Sequence, residues 1–207
     1  MRLVKGVYLP DKESHLTQWA KEDDWRYQGE KLDAALKYVK KRDVAVDVGG
    51  HCGLWSKEMV KEFKQVIAFE PIPDHRACYM LNVKGNYTLF PFALGEKEGT
   101  VRMYVNPEST GDTRVSDKGQ IEAQMKRLDD VYQGPCDFLK IDTEGYEEFV
   151  LRGAIELLKH KPVVIVEQKK DMAKDFGLEL LGAVKLLKSF GYKQKELIHG
   201  DYILVHE

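Results

Sequence analysis

Val44-Ala-Val-Asp-Val-Gly-Gly-His-Cys-Gly53 decides the fold: a short β-branched run stops at an acid, a glycine turn follows, and Leu54-Trp-Ser-Lys-Glu-Met-Val60 reads as a helix. A strand buried on both faces needs apolar residues throughout. Glycines let the following turn bend tightly and approach a bound molecule with no Cβ in the way. Asp47 restricts which molecule that is, because a carboxylate against the turn repels the pyrophosphate that a helix N-terminus otherwise attracts. The spacing Gly49-Gly50-His51-Cys52-Gly53 also departs from G-x-G-x-x-G.

Val66-Ile-Ala-Phe-Glu70 repeats the pattern of an apolar run ending in an acid, and Pro71 and Pro73 close it before Asp74 opens a helix. An acid about twenty residues beyond a glycine turn is what a nucleoside-binding βαβ unit uses to accept both ribose hydroxyls. Asp and Glu at strand ends also serve as ordinary turn caps. Together, Asp47, Glu70 and the missing phosphate pattern favour a nucleoside ligand carrying an ammonium and a sulfonium but no phosphate. S-adenosylmethionine is such a ligand.

The 207 residues suit one domain, with 1–43 as an N-terminal cap and leading helix and 44–207 as a Rossmann-like core. The 32 basic and 34 acidic residues are mixed along the chain and leave a net charge of −2, which supports neither a nucleic-acid footprint nor a polybasic membrane anchor. Apolar runs are too short to span a bilayer, and Met1 to Gly6 is not followed by a secretory hydrophobic stretch, so the expectation is a cytoplasmic protein. Cys52, Cys78 and Cys136 are widely spaced and odd in number, which reads as reduced thiols rather than a disulfide framework or zinc site. Cys52 lies near a helix start but reads best as a small residue filling a tight turn. No oligomeric state follows from the sequence.

Periodicity predicts helices over 30–42, 54–63, 74–83, 146–158 and 178–190, and strands over 66–70, 99–105, 137–142, 162–167, 192–197 and 202–205. Tyr87 to Leu94 is an apolar segment, and Asn106 to Gly119 is a loop by composition. The alternation predicts a doubly wound, mostly parallel α/β sheet ending in an antiparallel hairpin.

Phe138-Leu-Lys-Ile-Asp-Thr-Glu-Gly-Tyr-Glu147 places Asp142 at a strand end, as Asp47 and Glu70 are placed. Ligands of open α/β sheets sit beyond the carboxyl ends of the strands. Asp142 also fits a helix cap and Glu144 a favourable first-turn charge.

Six motifs then follow in order: Asp47-Val-Gly-Gly-His-Cys-Gly53, Phe69-Glu-Pro-Ile-Pro73, Phe92-Ala-Leu-Gly95, Arg127-Leu-Asp-Asp-Val131, Lys140-Ile-Asp-Thr-Glu-Gly-Tyr-Glu147 and Val150-Leu-Arg-Gly-Ala154. From about Val44 to Glu167 the chain resembles the FkbM family of class I methyltransferases. The resemblance implies a seven-stranded sheet, S-adenosylmethionine as donor, and methylation of a hydroxyl on a sugar or small metabolite. It implies that Asp47 and the turn Gly49, Gly50, His51 and Gly53 hold the methionine end. Glu70 with Pro71 would hold the ribose, Phe92, Ala93 and Leu94 would border the adenine, and Asp142 would sit near the transferred methyl.

The family often has Asn in place of His51, and His in place of Lys169. The first change leaves a turn that works through its backbone; the second removes a candidate base or substrate contact. Asp142, Glu144 and His51 are therefore the candidate bases. Oxygen ligands at Asp142, Glu144 and Glu167 would suit magnesium, but spacing alone assigns no metal. The loop 106–119 and Tyr8, Trp19, Trp25 and Tyr27 are candidate acceptor contacts, with core or dimer packing as the competing role. Arg114 reads as a solvated loop charge before an anion ligand. Two alternatives stay open: a nicotinamide oxidoreductase, and a cofactor-binding scaffold or partner subunit without turnover.

Overall fold

The computed structural model describes residues 1–18, 25–168 and 171–207. Trp19 and Lys169 lie outside these residues. The chain opens with the antiparallel pair β1 (Arg2–Val4) and β2 (Val7–Leu9), then α1 (His15–Gln18) and α2 (Gly29–Leu36). The next run is β3 (Val44–Val48), α3 (Leu54–Glu62), β4 (Gln65–Phe69), α4 (Pro73–Asn82) and β5 (Tyr87–Phe90). Four short strands follow: β6 (Ala93–Leu94), β7 (Gly99–Tyr104), β8 (Arg114–Val115) and β9 (Ile121–Lys126). The remainder is α5 (Leu128–Val131), β10 (Phe138–Ile141), α6 (Glu147–Arg152), α7 (Ile155–Leu158), β11 (Val163–Glu167), α8 (Gly182–Ser189), β12 (Tyr192–Ile198) and β13 (Asp201–His206).

The seven-stranded sheet has the order β12-β13-β11-β10-β3-β4-β5, parallel from β11 to β5, with β13 antiparallel to both of its neighbours. Strand order reverses between β3 and β10, and such a switch point opens a crevice at the carboxyl ends. Alternate residues of each strand face opposite sides. Val46, Val48, Ile67, Phe69, Leu139 and Ile141 pack with Val150, Leu151 and Leu187 on one face. Ala45, Val66, Phe138 and Ile165 meet Leu32, Ala35, Trp55 and Met59 on the other. Both faces are covered, which explains why the strands read as continuous apolar runs.

The structure corrects several predicted boundaries. The leading helix stops at Leu36 rather than Arg42: Tyr38 N and Val39 N close back on Ala35 O and Leu36 O at 3.0 and 3.3 Å, tight turns that end a helix. The helix expected over 146–158 is two, because Gly153 breaks it. A Cβ there would lie 2.1 Å from Gly95 O, and Asp129 restarts the helix by accepting from Glu156 N and Leu157 N, both at 3.0 Å. The segment 87–94 is split at Pro91, with β5 in the large sheet and β6 in a second one of order β6-β9-β7-β8. Its β9 escaped the sequence reading, although Ile121, Ala123 and Met125 alternate with polar residues. The loop 106–119 contains a 3₁₀ turn at Thr110–Asp112 and β8, and the last helix starts at Gly182 rather than Leu178, after a 3₁₀ stretch at Met172–Phe176 that ends on Gly177. Among the described residues no helix is long and apolar enough to cross a membrane.

Candidate functional site

A cleft partly open to solvent, about 1150 Å³ when the solvent at its mouth is counted, lies over the carboxyl ends of β3, β4, β10 and β11. Its floor is the glycine turn. Gly49 has φ +81°, and a Cβ there would sit 1.9 Å from Asp142 O, so the ends of β3 and β10 meet at a distance only glycine permits. Four of the turn's amides are already used. Gly49 N and Gly50 N donate to Phe69 O at 3.1 and 3.0 Å, Gly53 N donates to Gly50 O at 2.8 Å, and His51 N donates to Glu70 Oε2 at 2.9 Å. A pyrophosphate would find none of these four donors vacant.

Glu70 is buried and fixed from two sides, by His51 N and by Ile72 N, which donates to Oε1 at 2.8 Å. Each carboxylate oxygen keeps accepting capacity for a hydroxyl. Pro71, Phe92, Ala93, Leu94, Met103 and Val115 continue the wall beyond it as an apolar end, backed by the stacked rings of Phe69, Phe90 and Phe92.

Lys140 marks the other end. It is a lysine within an otherwise apolar, fully buried strand, and such a charge requires partners. Its Nζ lies 3.2 Å from Asp47 Oδ1 and 3.7 Å from Asp142 Oδ2, and donates to Gly49 O at 2.9 Å. Burial pulls the ammonium down, but the charges of Asp47 and Asp142 outweigh it and hold it above the usual lysine range. Asp47 is fully buried behind the wall, where burial pushes its carboxyl up against the opposing pull of Lys140 and the Ser56 hydroxyl, which donates at 2.6 Å.

Beyond Lys140, one carboxylate oxygen each from Asp142, Glu144 and Glu167 lies within 4.8 Å of the others. Glu147 fixes the connecting loop: its Oε1 accepts from Thr143 N at 3.0 Å, Gly145 N at 2.9 Å and the Thr143 hydroxyl at 3.1 Å. This holds Glu144 at φ +54°. Tyr27 faces this group; burial first, then the charges of Asp142 and Glu167, push its hydroxyl up. Gln28 joins the same corner, donating from Nε2 to Tyr27 OH at 3.2 Å and accepting from Trp55 Nε1 at 2.9 Å.

The roof comes from outside the large sheet. His15 and Leu16 of α1 and Ser109 to Thr113 of the loop line the cleft. His51 reaches up to them, with Nε2 2.8 Å from Thr110 Oγ1, Nδ1 3.2 Å from Cys52 Sγ, and its ring edge-on to His75 at 4.3 Å. Burial, then the neighbouring His75 and Lys140, hold the His51 imidazole well below its ordinary pKa, hence neutral.

The residues singled out from sequence are thus sorted. Gly49, Gly50, His51, Glu70, Pro71, Phe92, Ala93, Asp142 and Glu144 line one cleft, together with Glu167. Asp47 and Gly53 lie behind its wall. Tyr27 is a cleft residue, Trp25 packs with Val7, Leu9 and Leu16, and Tyr8 lies beside that cluster. Arg114 stacks over Tyr104 at 5.2 Å. All three cysteines are free and buried, and burial raises the Cys52 thiol well above its ordinary value. Lys140, Gln28 and Glu147 were missed, and Thr110 was included only as part of the loop 106–119, whose residues 109–113 do line the cleft. Lys140 had a readable signal, a charge inside a strand buried on both faces; Glu147 acts locally, on Thr143 and Gly145, while Gln28 and Thr110 depend on contacts with Trp55 and Glu13.

The cleft fits S-adenosylmethionine by the chemistry of its walls. A zwitterionic amino-acid end would meet Lys140 and Asp142, a ribose would meet the doubly anchored Glu70, and an adenine would meet the apolar end. Comparison with known proteins gives the family and the fold. The methyltransferase FkbM domain matches residues 47–193. A methyltransferase FkbM from Methylobacillus flagellatus has a similar fold at TM-score 0.54 and 15% identity, over 91% of this chain and 52% of that one. The chain thus spans about half the length of that relative. Precorrin-6y C5,15-methyltransferase from Geobacter metallireducens is similar at TM-score 0.51 and 18% identity, over 96% of both chains. No curated protein sequence matches. With more than half its length matched, the chain belongs to the FkbM methyltransferase family.

Proposed function

We propose that the protein methylates a hydroxyl of a sugar or similar small metabolite, with S-adenosylmethionine as donor. The observation that carries the reading is the polarity of the cleft. A carboxylate fixed by two backbone amides stands at one end, and an ammonium–carboxylate pair at the other. Bound S-adenosylmethionine supplies a methyl group activated by its sulfonium. The chain's residues supply alignment, which accounts for most of the rate in such a transfer, and a destination for the acceptor's proton.

Asp142 is the proposed base. It borders both halves of the cleft and is less buried than Glu144 or Glu167. His51 serves the donor turn instead, since both of its ring nitrogens are engaged. Asp142, Glu144, Glu167 and Tyr27 suit hydroxyl groups, which donate to carboxylates, and disfavour an anionic acceptor. A nicotinamide cofactor is opposed by the four engaged amides of the glycine turn.

Isothermal calorimetry tests the donor directly. S-adenosylmethionine and S-adenosylhomocysteine should bind, and NAD should give no heat; NAD binding with no response to either sulfur nucleoside would reverse the choice. Turnover of labelled donor across a panel of sugars and small alcohols then separates an enzyme from a cofactor-binding scaffold.

A further inference from the structure

Glu13 is fully buried although it lies in the N-terminal segment, far in sequence from the donor turn. Its Oε1 accepts from Leu16 N at 2.7 Å, and its Oε2 accepts from Thr110 N at 2.5 Å and from the Thr110 hydroxyl. The same two segments are joined at Ser14 N and His15 N, which donate to Glu108 O at 3.0 and 3.2 Å, and by the Ser14 hydroxyl, which donates to that oxygen at 2.8 Å. A hydroxyl has one proton to give. Because Thr110 gives its proton to Glu13, its oxygen can only accept from His51, which places the imidazole proton on Nε2. Nδ1 is then bare and accepts from the Cys52 thiol, which burial keeps protonated. Glu13, Thr110 and His51 form one directed chain that ends at the donor turn, where the backbone N–H of His51 holds Glu70.

We infer that Glu13 and Thr110 are positioning residues of the donor site: acting through His51, they fasten the roof formed by residues 13–16 and 108–113 to the glycine turn and hold it closed over the bound nucleoside. The inference rests on the donor reading above and extends it to residues that no motif contains. Donor entry and product release then require this chain to open, and the roof and the turn bind the donor as one unit.

Thr110→Val keeps the shape and removes the hydroxyl; Thr110→Ser keeps the hydroxyl. Calorimetry with S-adenosylhomocysteine should show Thr110→Val and Glu13→Gln binding ~10-fold more weakly than the unaltered protein, and Thr110→Ser within ~2-fold, as loss of a hydrogen bond to a charged group implies. Amide hydrogen exchange across 108–113 should be faster in Thr110→Val than in the unaltered protein without ligand. In the unaltered protein it should slow when S-adenosylhomocysteine is added. Equal affinity of Thr110→Val and the unaltered protein, equal weakening by Ser and Val, or ligand-independent exchange across 108–113 each overturns the inference. Should Thr110→Val not fold, the exchange measurement on the unaltered protein decides alone. Absence of binding by the unaltered protein removes the donor reading itself, whereas binding by it and by Thr110→Val alike removes only this inference.

Discussion

At the residue scale the site is built from charges buried with their partners. Lys140 stands between Asp47 and Asp142, and Asp142 alone of these two carboxylates lines the cleft. Asp142→Asn should therefore lower turnover by two orders of magnitude or more, in the range of general-base loss (about 10²–10⁴-fold), and Glu144→Gln should lower it much less. Equal, near-unaltered turnover in both variants would sink the assignment. His51 gives a pH dependence. Its folded pKa is depressed, so below about pH 6.5 the unfolded chain takes up a proton that the folded protein refuses. The stability present above that pH is lost as pH falls toward the depressed value, at up to about 1.4 kcal/mol per pH unit. Urea unfolding from pH 7.5 down to 5 should show this slope, and His51→Asn should flatten it; parallel slopes would contradict the assignment. Asp47, Glu70 and Asp142 were legible in the sequence because each ends an apolar run. Their division of labour was not, because it depends on which carboxylate Lys140 and Ser56 cover.

At the element scale, the strands of the seven-stranded sheet and the helices beside them followed from periodicity, whereas β1, β2, β8, β9, α1 and α5 did not, and one error fell where distant residues intervene. The expected helix over 146–158 is interrupted by the approach of Gly95 to Gly153, and its second part begins at amides capped by Asp129, from α5. No local pattern reports a cap donated from another element. Asp129→Ala leaves the buried Leu157 amide and the half-buried Glu156 amide without their acceptor and should destabilise the protein by about 1–2 kcal/mol. For a chain of this length that lowers Tm by roughly 3–6 °C. Calorimetric melting checks it, and an unchanged Tm would show that α7 stands without this cap. Lys31 and Asp201 supply a second cross-element link, a buried ion pair that ties α2 to the start of β13 beside the end of β11.

At the scale of the whole molecule, the cleft joins pieces from the seven- and four-stranded sheets and from the N-terminal segment. A ligand that binds only this assembly stabilises it by about 2.7 kcal/mol at a hundredfold excess over Kd. S-adenosylhomocysteine at that excess should raise Tm by several degrees, about 5–10 °C by the same size scaling, whereas NAD should leave it unchanged. A larger rise with NAD would contradict the donor reading. The sequence by itself determined the parallel sheet, the glycine turn and the acids at the strand ends, because apolar periodicity and backbone conformation are local properties of the chain. Tertiary structure decided which acid faces the cleft, which lysine sits behind that acid and what roofs the cleft. Those roles arise from contacts such as Lys140 with Asp47 and Glu13 with Thr110, whose partners lie about a hundred residues apart and meet only when the strands and the N-terminal segment converge.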